Sequence, residues 1–382
     1  MSASSVDLRA VRARRLSALR ARLASAGVDG LLLSHGADLP WLTGYRAMPL
    51  ERLTMLVVLP EADPVLVVPE LEAPRVAAEE AQVTLAPWSE GADPVELVVD
   101  LLRRGPWPPG RLAVSDRAWA VDLLRLQARL PEVQWLAASA VTGPLRAVKD
   151  EAEVEALAGA AAAADEVARA IQAGEVPLRG RSEAAVAEEV GRRLREAGHQ
   201  AVNFAIVASG PNAASPHHEP GGRVLETGDT VVLDFGGTWA RPGDVGYCSD
   251  ITRTVVLGRA SAEVREAYAV LEAAQAAARA AVRPGVTAGS VDRAARGVIE
   301  DAGYGRWFIH RTGHGIGVEE HEEPYITAGS EVVLEPGHVF SVEPGIYLPG
   351  RFGMRLEDIV AVRPEGRADL NQAPRGLVEL DG

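Results

Sequence analysis

Short apolar runs with acids or histidines at their ends recur through the C-terminal half of this chain. They are PHH at 216–218, VVLDFG at 231–236, CSDITRT at 248–254, TGHGIG at 312–317, SVEPGIY at 341–347 and MRLEDIV at 354–360. Their Val- and Ile-rich composition is typical of buried β-strands. A fold that aligns these strands gathers four carboxylates in one place, namely those of Asp234, Asp250, Glu343 and Glu357.

Four neighbouring carboxylates cannot all stay ionised without positive charge beside them. Mutual repulsion and the loss of hydration would force most of them to hold protons. Two divalent cations cancel four negative charges, and the two ions can share one activated water between them. The pattern therefore predicts a hydrolase with two divalent metal ions.

The bulk composition is that of a two-domain globular protein. The chain has 382 residues, of which 47% are hydrophobic, so it is long enough to bury two cores. Its formal net charge of -14 argues against a nucleic-acid partner, because nucleic acids are bound through basic surfaces. Part of this acidic excess is the carboxylate cluster itself.

The cysteine content and the N-terminus indicate a cytoplasmic protein. Cys248 is the only cysteine, so no disulfide can form within the chain. The first residues, MSASSVDLRAVRARRLSALRARL, form an Arg-rich helical pattern without the apolar core of a signal peptide. No apolar run approaches the ~20 residues of a membrane span, so we expect no membrane association.

The N-terminal residues are predicted to form an α/β domain. The Leu and Val spacing at 8–27 predicts a helix. Strands are predicted at 31–36, 53–60, 64–70, 83–87 and 112–115, with helical stretches between them. Asp150 is a predicted helix N-cap with Glu153 three positions later, so we place a domain boundary here, between 1–147 and 148–382.

Two segments of the second domain resemble each other. PLRGRSEAAVAEEVGRRLREAG at 177–198 and PGVTAGSVDRAARGVIEDAG at 284–303 each contain a proline, a turn and a helix that reaches Ala-Gly. Ser182 and Thr287 are the predicted N-caps of these helices. Each segment follows an Ala-rich helix and precedes strands. The repetition predicts a pseudo-twofold core in which two sheets meet and helices cover the outside.

Taken in order, the motifs PH, DFG, SDITRT, TGHGIG, HE, EPGIY and RLED resemble those of a known family. They are similar to the pita-bread metallopeptidases, which include prolidase (Xaa-Pro dipeptidase), aminopeptidase P and, more distantly, methionine aminopeptidase. GVDGLLLS at 27–34 and WLTGY at 41–45 resemble the N-terminal domain of the proline-specific members. The resemblance implies an α/β (α+β) protein. A creatinase-like α/β domain, 1–147, would be followed by a pseudo-twofold pita-bread catalytic domain, 148–382.

The resemblance also implies a set of metal ligands. Carried over position by position, the ligands are Asp234, Asp250, His314, Glu343 and Glu357. An oxygen-rich site with one imidazole suits Mn²⁺ or Co²⁺, and also Fe²⁺ or Zn²⁺; we take Mn²⁺ as the first choice. The glycines on either side of His314 would let backbone pack closely around it. Thr252 and Arg355 are expected to orient the ligands through hydrogen bonds.

One departure from the family concerns the second ligand. The segment between Asp234 and Asp250 looks longer than a prolidase hairpin, so Asp244 competes with Asp250 for this position. We prefer Asp250 because SDITRT carries the family match, whereas ARPGDVG at 240–246 has turn composition. Asp244 then belongs to a long loop over 235–249. Cys248 is interpreted as a small buried hydrophobe rather than a ligand.

The remaining catalytic groups are mostly histidines. By resemblance, His217 contacts the substrate backbone and His321 stabilises the oxyanion that develops in the transition state. Glu343 would accept and return a proton while it remains a ligand. His310 is a further expected pocket residue. His218 and His338 are interpreted as surface or structural histidines.

The expected reaction is metal-assisted hydrolysis of the bond before proline. We favour Xaa-Pro dipeptides over longer peptides cleaved by an Xaa-Pro aminopeptidase. The free carboxylate of a dipeptide needs a cationic partner, for which the candidates are His217, His310, Arg311 and Arg351. A metal-free creatinase-like enzyme and a non-enzymatic binding module of the same fold are alternatives, and both should lack the ligands. The resemblance further implies a homodimer.

Overall fold

A computed structural model describes residues 7–241 and 244–381, and the chain divides into two compact units. The first unit contains the described residues up to Arg146 together with a short segment that ends at Val245. The second unit contains Ala147–Arg241 and the residues from Gly246 onward. Within the described ranges, no helix has both the length and the apolar character that crossing a membrane requires.

The first unit is an α/β structure built on one six-stranded sheet. Its strands are β1 (Gly30–Leu33), β2 (Met55–Val58), β3 (Val65–Pro69), β4 (Thr84–Trp88), β5 (Arg111–Val114) and β6 (Gln134–Ala137), and its helices are α1 (Leu8–Ala26), α2 (Asp38–Thr43), α3 (Ala78–Ala81), α4 (Pro94–Leu102), α5 (Ala120–Arg129) and α6 (Ser139–Ala147). The strand order is β4-β3-β2-β1-β5-β6. The pairs β1–β2 and β2–β3 are antiparallel, and the other three pairs are parallel.

Apolar composition predicted most of this sheet. The helix predicted at 8–27 and all five predicted strands are confirmed. The prediction missed β6, whose sequence QWLA has exposed or half-buried side chains at the edge of the sheet. An edge strand packs against only one neighbour, so it needs no continuous apolar run to form.

The second unit contains two five-stranded sheets and a two-stranded ribbon. Its strands are β7 (His199–Ser209), β8 (Thr230–Trp239), β9 (Tyr247–Cys248), β10 (Ile251–Leu257), β11 (Gly313–Gly315), β12 (Glu322–Ile326), β13 (Val339–Val342), β14 (Gly345–Leu348), β15 (Phe352–Arg355), β16 (Asp358–Arg363), β17 (Gly366–Asp369) and β18 (Val378–Leu380), and its helices are α7 (Glu151–Gln172), α8 (Glu183–Glu196), α9 (Ala262–Ala281) and α10 (Ala288–Asp301). One sheet has the order β18-β10-β8-β7 with β9 paired to β8. The other has the order β12-β11-β13-β16-β17, and β14 pairs with β15.

The predicted capping box at the start of α7 is confirmed. Asp150 accepts a hydrogen bond from the Glu153 backbone at 2.9 Å, and Glu153 accepts one from the Asp150 backbone at 2.9 Å. These two bonds satisfy amide groups that the helix cannot pair internally. The reciprocal pair therefore defines where the helix begins.

The internal repetition is visible in the backbone of the second unit. Ser182 and Thr287 cap α8 and α10 as predicted, and both helices have 14 residues. Each cap residue also forms an isolated bridge to a later segment, with Val224 in the first copy and Val333 in the second. Each copy has its own hydrophobic core, in which its two helices pack against its strands. The two halves therefore repeat one helix–helix–strand plan.

The two halves are joined where β10 meets β16. Thr252 and Glu357 form a backbone bridge across this junction. Beside them, fully buried Arg253 donates to the Glu357 carbonyl at 2.7 Å and pairs with Asp358 at 2.8 Å. A buried charge that loses its partner costs on the order of 3–5 kcal/mol, so this contact strongly favours one arrangement of the two strands.

The prediction of a long loop over 235–249 is wrong. Strand β8 continues to Trp239, and β9 pairs with its end through Thr238 opposite Cys248. Gly236 allows tight packing inside the hairpin, because a Cβ atom at this position would lie 2.1 Å from the Ser249 carbonyl oxygen. Only 240–246 connect the two strands, and Asp244 lies in this connection.

The stability of the second unit should depend on pH through His338. Burial, and then the charge of Lys149, lower the pKa of His338 to about 4. Its Nδ1 accepts a hydrogen bond from the Glu335 backbone at 3.1 Å, and protonation would break that bond. Because the unfolded chain binds this proton more readily, stability is complete above pH ~6.5 and falls as the pH drops toward 4.

We expect protonation of His338 to lower the free energy of unfolding by about 2 kcal/mol as the pH falls from 7 to 5. The measurement is urea unfolding of the wild type and His338→Asn with a chelator present, since Asn retains an acceptor but does not titrate. The variant should lose less stability than the wild type over this range. Parallel losses in both proteins would show that His338 does not titrate as described.

Candidate metal centre and active site

The predicted site residues surround one cavity of the second unit, with a volume of about 530 Å³. The cavity wall contains Asp234, Asp250, His314, Glu343 and Glu357, together with His217, His310, His321 and Arg355. The four acids are far apart in sequence, yet all of them reach this one wall. Thr252 is fully buried beside Glu357.

Three of the four candidate acids lie next to a strand end, and the fourth lies inside a strand. Asp234 lies within β8 opposite Thr252, and Asp250 directly precedes β10. Glu343 directly follows β13 and Glu357 directly precedes β16. Polar groups at strand ends can face a cavity while the apolar strand residues stay in the core. This arrangement explains why the acids terminate apolar runs.

His314 occupies the middle of β11, where backbone packs on both sides. A Cβ atom at Gly313 would lie 1.8 Å from the Ser341 carbonyl oxygen, and one at Gly315 would lie 2.2 Å from the Glu323 carbonyl oxygen. No larger residue fits at either position without moving a neighbouring strand. The two glycines therefore allow the imidazole to reach the carboxylates.

The ligand atoms converge closely enough to share a cation. One atom each of Asp250, His314 and Glu357 lie within 4.8 Å of one another. The Nε2 atom of His314 is 3.2 Å from a Glu343 oxygen and 3.7 Å from an Asp250 oxygen. Its Nδ1 atom donates to the Gly315 carbonyl at 3.1 Å, so Nε2 is the nitrogen that a metal ion would bind once the proton it shares with Glu343 is displaced.

Crowding shifts the pKa values of these acids in different directions. Burial, and then the charge of neighbouring carboxylates, raise the pKa values of Asp250 and Glu357 well above their ordinary range. Burial also acts to raise the pKa of Glu343, but its hydrogen bond to His314 and the nearby positive charges outweigh that effect and lower the pKa to about 2. Without a cation, the site therefore retains protons on some of its carboxyl groups.

Unpaired oxygens show that the donor set fits divalent cations. Asp234 Oδ1, Asp250 Oδ1 and Glu357 Oε1 are buried and have no hydrogen-bond partner. A buried polar atom without a partner costs on the order of 1–3 kcal/mol, and coordination to a metal ion removes that cost. Carboxylate oxygens with one imidazole nitrogen are the ligands that Mn²⁺ and related ions bind.

Two further residues hold the carboxylates in place. The Thr252 hydroxyl donates to Glu357 Oε2 at 2.6 Å and accepts from Arg355 Nε at 3.1 Å. Arg355 also forms an ion pair with Asp234 and donates to the Tyr347 hydroxyl at 2.8 Å. Asp234 and Glu357 thus each have one oxygen held by the protein and, among the described residues, one buried oxygen without a hydrogen-bond partner.

The three cavity histidines other than His314 differ in how firmly they are held. His310 Nδ1 donates to the Arg311 carbonyl at 2.7 Å, and its Nε2 accepts from the Tyr347 hydroxyl at 2.9 Å, so its ring is fixed in the neutral form. His217 and His321 are exposed at the cavity wall. Partial burial, and then the charges of His314 and Arg311, lower the pKa of His321 to about 4. His321 is therefore an uncharged hydrogen-bond donor at neutral pH.

Sequence reasoning missed Glu183, which anchors the segment that carries His217. This fully buried carboxylate accepts from Ser209 Oγ at 2.7 Å and pairs with His218 Nε2 at 2.7 Å. His218 thus has a structural role beside the cavity. The sequence offered no signal for Glu183, because an acid after the N-cap Ser182 is ordinary at the first turn of a helix.

In each pair of competing residues, the two aspartates and the two candidate arginines, only one member lines the cavity. Asp250 lines the cavity, whereas Asp244 lies in the 240–246 connection and accepts a hydrogen bond from the adjacent Val245 backbone. Arg311 lines the cavity, whereas exposed Arg351 forms an ion pair with Glu263 on α9. Cys248 is buried, as expected of a small hydrophobe.

An oxygen-rich cavity with one imidazole and flanking neutral histidines is the site of a divalent-metal hydrolase. Residues 154–364 match Metallopeptidase family M24, and residues 15–148 match the Creatinase/Prolidase N-terminal domain. The chain belongs to metallopeptidase family M24. The expected fold, with a creatinase-type N-terminal domain before a pita-bread catalytic domain, is confirmed.

Relatives match over nearly the whole chain. A probable dipeptidase, PepE, of Mycobacterium tuberculosis is 45% identical over 96% of this chain and 96% of its own. An Xaa-Pro dipeptidase of Lactobacillus delbrueckii subsp. lactis is 35% identical over 92% of this chain and 95% of its own. The structure of prolidase from Thermococcus sibiricus superposes with a TM-score of 0.90 at 37% identity, covering 96% of this chain and 99% of the other.

Metal binding should release protons from this site. Because the pKa values of Asp250 and Glu357 are raised in the metal-free cavity, a cation must displace protons that these groups hold. We expect the affinity for Mn²⁺ to fall about tenfold per pH unit for each proton released, below the raised pKa values. Calorimetric titration in two buffers with different ionisation enthalpies measures the number of protons.

The matched control is Glu357→Gln, which cannot hold a carboxyl proton. This variant should bind Mn²⁺ more weakly and release fewer protons than the wild type. Equal binding enthalpies in both buffers for the wild type would mean that the carboxylates are already ionised.

Proposed function

We propose that this M24 metallopeptidase hydrolyses the bond before proline, with Xaa-Pro dipeptides as its preferred substrates. The observation that carries the proposal is a cavity with the complete predicted ligand set, in a chain that resembles an Xaa-Pro dipeptidase and a prolidase over more than nine-tenths of its length. The metal-free creatinase-like alternative has no use for three acids with unpaired buried oxygens. The reaction is assigned to residues 148–382, with 1–147 as the N-terminal domain.

Two divalent ions, with Mn²⁺ as first choice, would be held by Asp234, Asp250, His314, Glu343 and Glu357. When bound, the ions lower the pKa of water and polarise the substrate carbonyl. The unpaired oxygens of Asp234, Asp250 and Glu357 support this assignment. The ions would also offset the burial and the repulsion that raise the pKa values of Asp250 and Glu357.

The protein's own groups move the protons and hold the substrate. Glu343 has a pKa of about 2, so it is ionised at neutral pH and can accept a proton from the attacking water. It then returns that proton to the proline nitrogen as the bond breaks. Neutral His321 donates a hydrogen bond to the carbonyl oxygen as negative charge develops, an effect typically worth ~3 kcal/mol per donor. His217, which is exposed at the cavity wall, binds the substrate backbone, and His310 shapes the wall beside it.

The proposal also covers the location, the partners and the oligomeric state of the enzyme. The single cysteine supports a cytoplasmic location. The net charge of -14 supports peptide rather than nucleic-acid partners. By family resemblance we propose a homodimer, and sedimentation at several concentrations measures its mass.

Replacement of the two competing aspartates should affect metal content differently. We expect Asp250→Asn to lose about one metal ion per chain, because an amide is a much weaker ligand than a carboxylate for these ions. Asp244→Asn is the matched control and should keep the wild-type metal content. Elemental analysis of both purified variants, with turnover measured beside it, gives the answer. The reverse pattern would make Asp244 the ligand.

A peptide panel tests the substrate class. With Mn²⁺ present, we expect hydrolysis of Ala-Pro to exceed that of Ala-Pro-Ala, and that of Met-Ala-Ser to be negligible. Removal of metal with a chelator should abolish turnover, and added Mn²⁺ or Co²⁺ should restore it. Equal rates on Ala-Pro and Ala-Pro-Ala would identify an Xaa-Pro aminopeptidase, and preference for Met-Ala-Ser a methionine aminopeptidase. Full activity after verified metal removal would exclude the mechanism.

A further inference from the structure

A dipeptidase must recognise the free carboxylate of its substrate close to the reacting bond. In an Xaa-Pro dipeptide the carboxylate belongs to the residue directly after the scissile bond, and neighbouring Cα atoms are only about 3.8 Å apart. The carboxylate therefore enters the same cavity as the metal ligands. A carboxylate that leaves water needs a cationic partner, because its burial is otherwise strongly unfavourable. The cavity must then contain a cation with donors to spare.

Most basic side chains of the cavity already bond or pack against other protein groups. Arg355 is fully buried and bonds with Asp234, Thr252 and the Tyr347 hydroxyl. Both ring nitrogens of His310 are hydrogen-bonded within the protein. His321 lies against the ligand His314, with the two ring centroids 4.1 Å apart. An imidazole carries no permanent positive charge, and the guanidinium of Arg355 is already paired with a carboxylate.

Arg311 is permanently charged, and among the described residues its guanidinium is not paired with a carboxylate. It lines the cavity and is half-buried, and in the part of the chain that the structure describes no carboxylate lies within ion-pair distance of its guanidinium. The guanidinium instead stacks over the Tyr325 ring, with its central carbon 4.4 Å from the ring centroid. Stacking on an aromatic face orients a guanidinium and leaves its N–H groups free to donate.

The position of this stacked pair is tied to the metal ligands. Tyr325 lies on β12 directly opposite His314 on β11. The Arg311 carbonyl accepts a hydrogen bond from His310 at 2.7 Å, and Arg296 donates to the His310 carbonyl at 2.9 Å. The backbone on either side of the arginine is thus held in place. A guanidinium fixed in this way can bind a carboxylate through two parallel hydrogen bonds.

The geometry points to Arg311, stacked on Tyr325, as the receptor for the free carboxylate that follows the scissile bond. This inference rests on the proposed function and names the group that would confine the enzyme to dipeptides. A longer peptide or an amide presents no negative charge at this point and leaves the cation unmatched. Arg311 therefore determines specificity and takes no part in bond cleavage.

The test compares Ala-Pro with its C-terminal amide in the wild type, Arg311→Gln, Arg311→Lys and Arg351→Gln. We expect the wild type to favour the free acid by at least ~30-fold in kcat/KM, since loss of one partner of a desolvated charge pair costs that much or more. In Arg311→Gln this ratio should fall to near one, with the loss on Ala-Pro mainly in KM. Arg311→Lys should recover part of the preference.

Arg351→Gln is the matched control, because Arg351 is an exposed arginine paired with Glu263 away from the cavity wall. It should keep the wild-type ratio, and all four proteins should retain their metal. Tyr325→Leu should raise KM for Ala-Pro by removing the stacking surface. An unchanged acid-to-amide ratio in Arg311→Gln, or a wild type without preference for the acid, overturns the inference.

The proposed function can fail separately from this inference. If the wild type cleaves no Xaa-Pro peptide, the proposed function is wrong, and calorimetric binding of Ala-Pro and its amide then tests the carboxylate site alone. A preference for the acid that is lost in Arg311→Gln would still support the receptor. Equal binding of acid and amide by the wild type would exclude it.

Discussion

Mutual repulsion among four buried carboxylates is the constraint on which the rest of the catalytic unit depends. Asp250 and Glu357 respond by raised pKa values, whereas Glu343 remains ionised because His314 lies beside it. Thr252 supplies a further partner, bonded to Glu357. Within the described chain, Asp234, Asp250 and Glu357 each keep a buried oxygen without a hydrogen-bond partner, which a bound cation would satisfy. The surrounding protein thus holds the acids in an arrangement that is costly without metal and favourable with it.

The internal repetition explains how these acids come together. Asp234 and Asp250 belong to the first half of the second unit, whereas Glu343 and Glu357 belong to the second half. Each half buries its own core, but neither contains a complete ligand set. The junction at Arg253, which pairs with β16, therefore decides the geometry of the site as well as the packing of the two sheets.

Substrate recognition depends on which positive charges remain available after the ligands are held. Arg355 is paired with a ligand carboxylate, and His310 is hydrogen-bonded to the backbone and to a tyrosine. Stacking keeps Arg311 ordered without neutralising it. The proposed enzyme would therefore bind metals through the acids of this cavity and a substrate carboxylate through one arginine. Both tasks follow from how the charges are paired.

The sequence alone determined the family, the two-domain plan, the helix caps and the identity of the candidate ligands, because these depend on local composition and on motif order. It did not reveal the edge strand β6, the hairpin over 235–249 or the buried role of Glu183. It also could not separate Arg311 from Arg351, since both flank motif segments. Only the tertiary structure decided these points, because they depend on strand register and on contacts between residues far apart in the chain.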